Sequence, residues 1–260
     1  MSVDPLAEKY YPISPYAYVA NNPIIFIDPD GRQIEEGSQK DFERNRKAIE
    51  NKRNQLQKKL DKKIAAGKTN ISSLANRVSS LNSTLTNLNM LEKSDVTYSL
   101  NKLAEGEVGF VSYNSDNNTV VINYASSVSN FVHESTHAGQ YETRDIGLIK
   151  DNENAFAVDI YDEVDAYQAQ YAYDPASTGT KSMSDITADW VRNIKIPGTD
   201  NYLYRGSHIG QTSVRTDSPR SIIKKAYPNT RLAIKSERTP FIRYVNNAIQ
   251  VKTPRWMYLD

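Results

Sequence analysis

The sequence predicts an α+β protein, in which a helical hairpin precedes a small sheet and a helix that carries two of the three histidines. Apolar residues recur at alternating steps of three and four from about Glu36 to Lys93, which is the helical period. Runs rich in β-branched and aromatic residues follow from Val96 to Tyr124 and predict strands. The stretch FVHESTHAGQYE at 131–142 then places His133 and His137 four residues apart.

Length and composition narrow the class of protein. The 260 residues are enough to bury a core, and a mean hydropathy of -0.63 with 24% charged residues predicts a soluble chain. Cysteine is absent, so His, Asp and Glu are the strong metal ligands that remain. A net charge of +1 argues against attraction of the whole protein to nucleic acid. No run approaches the roughly 18 apolar residues of a membrane helix, and the opening MSVDPLAEKYY lacks the layout of a signal peptide.

The hairpin is predicted from two apolar stripes separated by the break AAGKTN. The stripes consist of Phe42, Ile49, Leu56, Leu60 and Ile64, and of Ile71, Leu74, Val78, Leu81, Leu85 and Leu88. We expect Gly67 to end the first helix and Thr69 or Asn70 to cap the second. The first helix is basic, but no aromatic residues are interleaved with its lysines, which disfavours a nucleic-acid partner. We interpret the hairpin as a spacer or as a clamp on the following domain.

Strands are predicted at VTYSL, EVGFVSY and TVVINY, with the turn-rich loop NSDNN between the last two. A helix should begin at Ser127 or Ser129 as N-cap and continue to about Tyr141. Further helices are predicted at about Asn152 to Tyr173 and at Ser182 to Ile194. The C-terminal part is mixed, with IIKKAY as a candidate helix and FIRYV and AIQVK as candidate strands.

The pattern HESTH indicates a metal site. Residues four apart on a helix share a face, so His133 and His137 can direct imidazole nitrogens at one ion. Glu134 lies about 100° around the helix from His133 and can reach a water on that ion. The motif H-E-x-x-H supplies two zinc ligands, the histidines, and a general base, the glutamate. The competing interpretation is two histidines on a surface or amphipathic helix, with Ser135 and Thr136 as ordinary solvent-facing neighbours.

A catalytic zinc site needs a third protein ligand and an open position for water. The segment YDEVDAYQAQY supplies a carboxylate, Glu163, on the same helical face as the small Ala166, which permits close helix packing. Asp165, His208 and other carboxylates are alternative third ligands. An acidic face in contact with solvent is the structural alternative for this segment.

The chemistry expected of such a site is hydrolysis by a metal-activated water. Glu134 would take the proton from that water and return it to the leaving amine. A further group should stabilise the oxyanion, and His208 in YLYRGSHIGQ is the first candidate, with a loop histidine of no catalytic role as its alternative. The other candidates are Tyr204, Arg205, Tyr141 and Tyr167.

Residues 4–32, DPLAEKYYPISPYAYVANNPIIFIDPDGR, resemble the closing segment of an Rhs/YD-repeat protein, the core that precedes variable C-terminal toxin domains. The resemblance rests on DPLAEKYY, SPYAY, NNP and DPDGR in that order. It implies that the chain from about residue 33 onward is a toxin tip enclosed by the Rhs shell of its parent chain. It also implies cleavage near the junction, delivery into a target cell by a specialised secretion system, and a cognate immunity protein.

A second resemblance covers about residues 95–175. TVVINYASSVSNFVHESTHAGQYE, followed by DEVDAYQAQY, is similar to the gluzincin-like toxin metallopeptidases. It implies a zincin-like domain in which His133, His137 and Glu163 bind Zn²⁺ and Glu134 is the base. No motif identifies the oxyanion partner, which leaves His208 without support from the resemblance.

The leading hypothesis is therefore a zinc-dependent peptidase that acts on a protein or peptide substrate as the tip of an Rhs protein. Its predicted segments are the end of the Rhs core at 1–32, a hairpin or linker at 33–94 and a zincin-like domain at 95–260. The alternative is an Rhs tip of another class, nucleic-acid-targeting or non-enzymatic, in which HESTH is only structural. The hairpin is too polar to insert into a membrane, and the cysteine-containing deaminase pattern is missing.

Overall fold

The computed structural model describes residues 33–104, 106–114, 117, 119–149, 156–157, 159–196, 198–207, 209–215, 232–235 and 256–259. The chain divides between Arg32 and Gln33 into two units, and all of these residues belong to the second. The Rhs-like segment 1–32 lies outside the described residues, as do IIKKAY, FIRYV and AIQVK. The fold is α+β, as the sequence predicts, and it is mostly helical.

The predicted hairpin is present. It consists of α1 (Glu36–Ala65) and α2 (Ser72–Lys93). Gly67 adopts a φ of 65°, a left-handed conformation that glycine accepts at little cost, at the end of α1. The N-cap predicted at Thr69 or Asn70 is wrong, because α2 begins from Ile71, which has no side-chain cap. The Ile71 amide instead donates a hydrogen bond of 2.9 Å to the Thr69 carbonyl.

A three-stranded sheet follows the hairpin. Its strands are β1 (Thr97–Leu103), β2 (Phe110–Asn114) and β3 (Thr119–Ala125). The spatial order is β1-β3-β2, with β1 parallel and β2 antiparallel to β3. Central strand β3 leads directly into α3 (Val128–Thr143), so the helix that carries HESTH starts from the best-supported strand of the sheet.

The hairpin, the sheet and α3 share one hydrophobic core. Phe42 from α1 packs edge-on against Phe131 from α3 with ring centroids 6.2 Å apart, and Tyr124 from β3 also packs edge-on against Phe131 at 5.3 Å. Each of these buried rings contributes roughly 1.5–3 kcal/mol from burial alone. Arg77 on α2 adds a polar link, donating hydrogen bonds to the carbonyls of Ala172 at 3.1 Å and of Tyr173 at 3.5 Å.

Two later helices differ from their predicted bounds. They are α4 (Ile160–Tyr173) and α5 (Ala188–Arg192). The start predicted at about Asn152 is wrong because Asp159 caps α4, accepting from the Tyr161 amide at 2.7 Å, while Asp162 accepts from the Asp159 amide at 3.0 Å. The helix predicted from Ser182 to Ile194 is broken, because the Thr187 hydroxyl accepts from the Trp190 amide and restarts it as α5.

A second sheet was not predicted. Its strands are β4 (Gly147–Ile149), β5 (Phe156–Ala157), β6 (Leu232–Lys235) and β7 (Trp256–Leu259). They pair antiparallel in the order β5-β4-β6-β7. Of the helices in the described part of the chain, none combines the length and apolar character needed to cross a membrane.

Candidate metal centre

Helix α3 holds the HESTH motif inside the protein. Its N-cap is Ser127, whose side chain accepts from the Asn130 amide at 3.1 Å, as one of the two predicted caps requires. His133, Glu134 and His137 are only 5%, 3% and 1% exposed. The intervening Ser135 and Thr136 are buried as well. The alternative of a surface helix with solvent-facing serine and threonine is therefore wrong.

Helix α4 brings Glu163 to the two histidines. Glu163 is 2% exposed, and its Oε2 lies 3.5 Å from His133 Nε2 and 3.6 Å from His137 Nε2. Ala166, one turn further along α4, is fully buried, and its small side chain allows close approach of the helices. The structure thus brings together the three residues that the sequence indicates as ligands.

The spacing of these three groups fits a shared metal ion better than direct hydrogen bonds. One ligand atom from each residue lies within 4.8 Å of the others. The N to O separations of 3.5 and 3.6 Å exceed a usual hydrogen bond of about 2.9 Å. Two ligands at about 2.0–2.1 Å from a tetrahedral zinc stand about 3.4 Å apart, close to these separations. The buried group His133, His137 and Glu163 could therefore bind a metal ion.

Gln140 connects the two helices behind the ligands. Its Oε1 lies 2.7 Å from His137 Nδ1, and its Nε2 donates to the Asp162 carbonyl at 3.1 Å. Because the side-chain oxygen of glutamine can only accept, Nδ1 carries the proton and Nε2 of His137 is left to bind an ion. Gln140 therefore sets both the tautomer of one ligand and the position of the residue before Glu163.

The electrostatics of the group favour an ionised Glu163. Burial raises the pKa of this carboxyl, but the charge of His137 and the two adjacent imidazoles outweigh burial and hold the pKa well below its usual range. Burial lowers the pKa of His137, yet the neighbouring Glu163 carboxylate raises it to about 9. The two shifts have one origin, because a buried carboxylate is stabilised by a positive charge beside it. A metal ion would supply that charge in place of the proton.

Glu134 lies close to the backbone of Gly109, which precedes β2. A Cβ atom on Gly109 would stand 2.4 Å from Glu134 Oε1 and 2.7 Å from Asn130 Oδ1. Burial raises the pKa of Glu134 to about 7. This carboxyl is therefore held beside the ligands and titrates in the range that proton transfer at neutral pH needs.

Two tyrosines border the ligands. The Tyr204 hydroxyl donates to Glu163 Oε2 at 3.0 Å and lies 3.3 Å from the Tyr167 hydroxyl. The Tyr167 ring packs edge-on against His133 with centroids 4.3 Å apart. Of the other oxyanion candidates, Tyr141 belongs to the hydrophobic core and Arg205 stacks on Tyr202 at 3.8 Å. His208, the first candidate, lies outside the described residues.

The alternative aspartates on α4 are engaged elsewhere. Asp162 belongs to the capping box at the start of the helix, and Asp165 forms a two-fold ion pair with Arg215 at 2.6 and 2.9 Å. Sequence reasoning missed the role of Gln140, although its position three residues after His137 places it on the same helical face. It also missed Gly109, for which no motif gives a signal.

Comparisons with known proteins do not assign the chain to a family. No protein-family model matches the sequence, and no curated protein or solved structure matches it either.

Proposed function

We propose that the chain is a zinc-dependent peptidase with a zincin-like fold. The observation that carries this proposal is the buried convergence of two imidazoles and one carboxylate at the spacing of a shared ion. A further carboxyl, Glu134, lies on the same helix as the imidazoles and beside them. Three protein ligands leave one position open, which is the pattern of catalytic rather than structural zinc sites.

The donor set favours zinc over the hard cations. Calcium and magnesium prefer six or more oxygen ligands, whereas His133 and His137 offer nitrogen. Two imidazoles and one carboxylate form a known catalytic zinc set. The proposed ligands are therefore His133, His137 and Glu163, each supplying one atom.

Bound zinc would lower the pKa of a coordinated water towards neutrality and polarise a substrate carbonyl. Glu134 accepts the proton of the attacking water and passes it to the leaving amine nitrogen. The tight fit of its carboxylate against Gly109 fixes the position from which this transfer takes place. The Tyr204 hydroxyl, which donates to Glu163 and contacts the Tyr167 hydroxyl, lies beside the proposed ligand carboxylate.

The biological role that we propose is that of a toxin tip of an Rhs protein. The support is the Rhs-like sequence at 4–32, directly before the unit that holds the site. In this proposal the tip is enclosed by its Rhs shell, is delivered by a specialised secretion system, and is neutralised by an immunity protein. A peptidase of this kind would cleave a protein of the target cell.

One experiment tests the chemistry. Wild type and Glu134→Gln are purified for metal analysis and expressed at graded levels in a sensitive cell, with Glu43→Gln on the exposed face of α1 as the matched control. We expect about one zinc per chain in all three proteins and loss of toxicity only in Glu134→Gln. Wild-type toxicity of Glu134→Gln, or a zinc content far below one per chain, would refute the peptidase.

A second candidate function, the nucleic-acid-targeting tip, has one observation in its favour. A groove of about 480 Å³ between α1 and α2 is bordered by four cations. They are Lys59, Lys62, Lys63 and Arg77. The other described residues that line it are Leu56, Asn70, Ser73 and Leu74, so it offers no aromatic ring on which a base could stack. If this candidate were correct, toxicity would survive Glu134→Gln and fail when the lysines are replaced.

A further inference from the structure

Tyr204 is a partly buried residue whose hydroxyl reaches a proposed metal ligand. It donates to Glu163 Oε2 at 3.0 Å. This is the same oxygen that lies 3.5 Å from His133 Nε2 and 3.6 Å from His137 Nε2. We infer that Tyr204 is a positioning residue that holds Glu163 in coordination through one oxygen only. The inference rests on the proposed metal centre and adds a residue to it.

The Tyr167 hydroxyl contacts the Tyr204 hydroxyl, and the donor in each of the two hydrogen bonds can be assigned. Its hydroxyl lies 3.3 Å from that of Tyr204, and either oxygen could donate in that contact taken alone. The carboxylate of Glu163 can only accept, so the Tyr204 proton points to it and Tyr167 must donate to Tyr204. The Tyr167 ring is itself held between His133 at 4.3 Å and Trp190 at 5.2 Å. The chain of donors from Tyr167 through Tyr204 to Glu163 therefore starts from a ring with little freedom to move.

The backbone of Tyr204 is also held in place, by contacts to its carbonyl oxygen. The Ser207 hydroxyl donates to the Tyr204 carbonyl at 2.7 Å, and a Cβ on Gly210 would stand only 2.0 Å from that carbonyl oxygen. Arg192 of α5 donates to the carbonyls of Gly210 at 2.9 Å and of Thr212 at 2.6 Å. These contacts restrain the loop that carries Tyr204. A residue that positions another side chain, here Glu163, needs such a rigid support.

The consequence concerns the open position of the metal. The last torsion of a glutamate side chain has broad, roughly two-fold preferences, so an unrestrained carboxylate can turn and offer both oxygens to an ion. A second bond from Glu163 would take the position that water needs in a catalytic site. The hydrogen bond from Tyr204 restrains this rotation and keeps only Oε2 towards the imidazoles.

The test uses the full chain of the Tyr204→Phe variant, which loses one hydroxyl and keeps the ring. Tyr202→Phe, a change of the same kind two residues earlier in the same loop, is the control. Zinc affinity is measured by competition with a chromophoric chelator, and Co²⁺ is added separately to record its visible absorption, which weakens as the coordination number rises. We expect Tyr204→Phe to bind zinc 10- to 100-fold more weakly and to show a weaker Co²⁺ absorption than wild type and Tyr202→Phe.

The Co²⁺ spectrum separates positioning from a general loss of stability, because a destabilised variant that still binds would keep the wild-type absorption. If Tyr204→Phe does not fold, Tyr167→Phe replaces it and should show the same changes to a smaller degree. Wild-type affinity and spectrum in the variant that folds would overturn the inference while leaving the metal centre intact. Failure of the wild type to bind either metal would instead refute the proposed function together with the inference.

Discussion

The close contact between Gly109 and Glu134 allows a substitution that separates catalysis from metal binding. In Gly109→Ala, the new Cβ would stand 2.4 Å from Glu134 Oε1, whereas ordinary contacts begin at about 3.4 Å. The carboxylate must therefore move by about 1 Å, since the next residue, Phe110, is held by its pairing with Asn123 of β3. The three atoms nearest to the new Cβ belong to Glu134 and Asn130, and none of them is an atom of the proposed ligands His133, His137 and Glu163.

The size of the effect follows from this displacement. A reacting group misplaced by about 1 Å can cost about 100-fold in rate. Inserting a methyl group into a tight contact also costs about 1–3 kcal/mol of stability. We therefore expect toxicity to fall by about two orders of magnitude at equal protein levels, with zinc affinity unchanged.

Graded expression in a sensitive cell measures toxicity, and competition with a chelator measures zinc affinity. Gly206→Ala is the control, because its Cβ would meet no atom within 4 Å. Toxicity of Gly109→Ala within a few-fold of wild type would contradict the assignment of Glu134 as the general base. If Gly109→Ala also lost zinc affinity, the position of Glu134 and metal binding would be coupled, and the expected separation of the two would be wrong.

Three further changes test the ligands and their packing. Gln140→Ala removes the acceptor 2.7 Å from His137 Nδ1 and should weaken zinc binding 10- to 100-fold in the same competition assay; equal affinity would contradict the orienting role. Burial lowers the pKa of His137, but the Glu163 carboxylate raises it to about 9, so an entering ion must displace this proton. Zinc affinity should therefore rise about tenfold per pH unit from pH 7 towards 9, and a flat profile would exclude a protonated ligand. Gly139→Ala, whose Cβ would lie 2.6 Å from a side chain of α2, should lower the free energy of unfolding in urea by about 1–3 kcal/mol, whereas Gly37→Ala in open space should not.

The parts of the site that depend only on the periodicity of an α-helix could be predicted from the sequence. His133 and His137 are one turn apart on a single helix, and no tertiary information is needed to place them on one face. Glu163 could be selected because the absence of cysteine restricts the ligand types and its helix has one face of suitable residues. The hairpin and the three strands of the first sheet also follow from local periodicity.

The parts that depend on distant contacts could not be predicted in this way. Tyr204 reaches Glu163 from a loop 41 positions further along the chain, and the shape of that loop depends on Arg192 and Gly210. The start of α4 was misplaced because Asp159 caps it, and capping overrides the apolar pattern that continues upstream. Strands β4 and β5 have three and two residues, too few to show a period of two.

Arg77 on α2 donates hydrogen bonds to the last carbonyls of α4, which ties the hairpin to the helix that carries Glu163. Helix α2 secures the far end of the helix that carries Glu163, and α1 packs its Phe42 against the helix that carries His133. Because of these contacts, we expect the hairpin and the candidate metal site to unfold together as one cooperative unit. Heating should melt both in a single transition, and a substitution that loosens the hairpin should weaken metal binding at the proposed site.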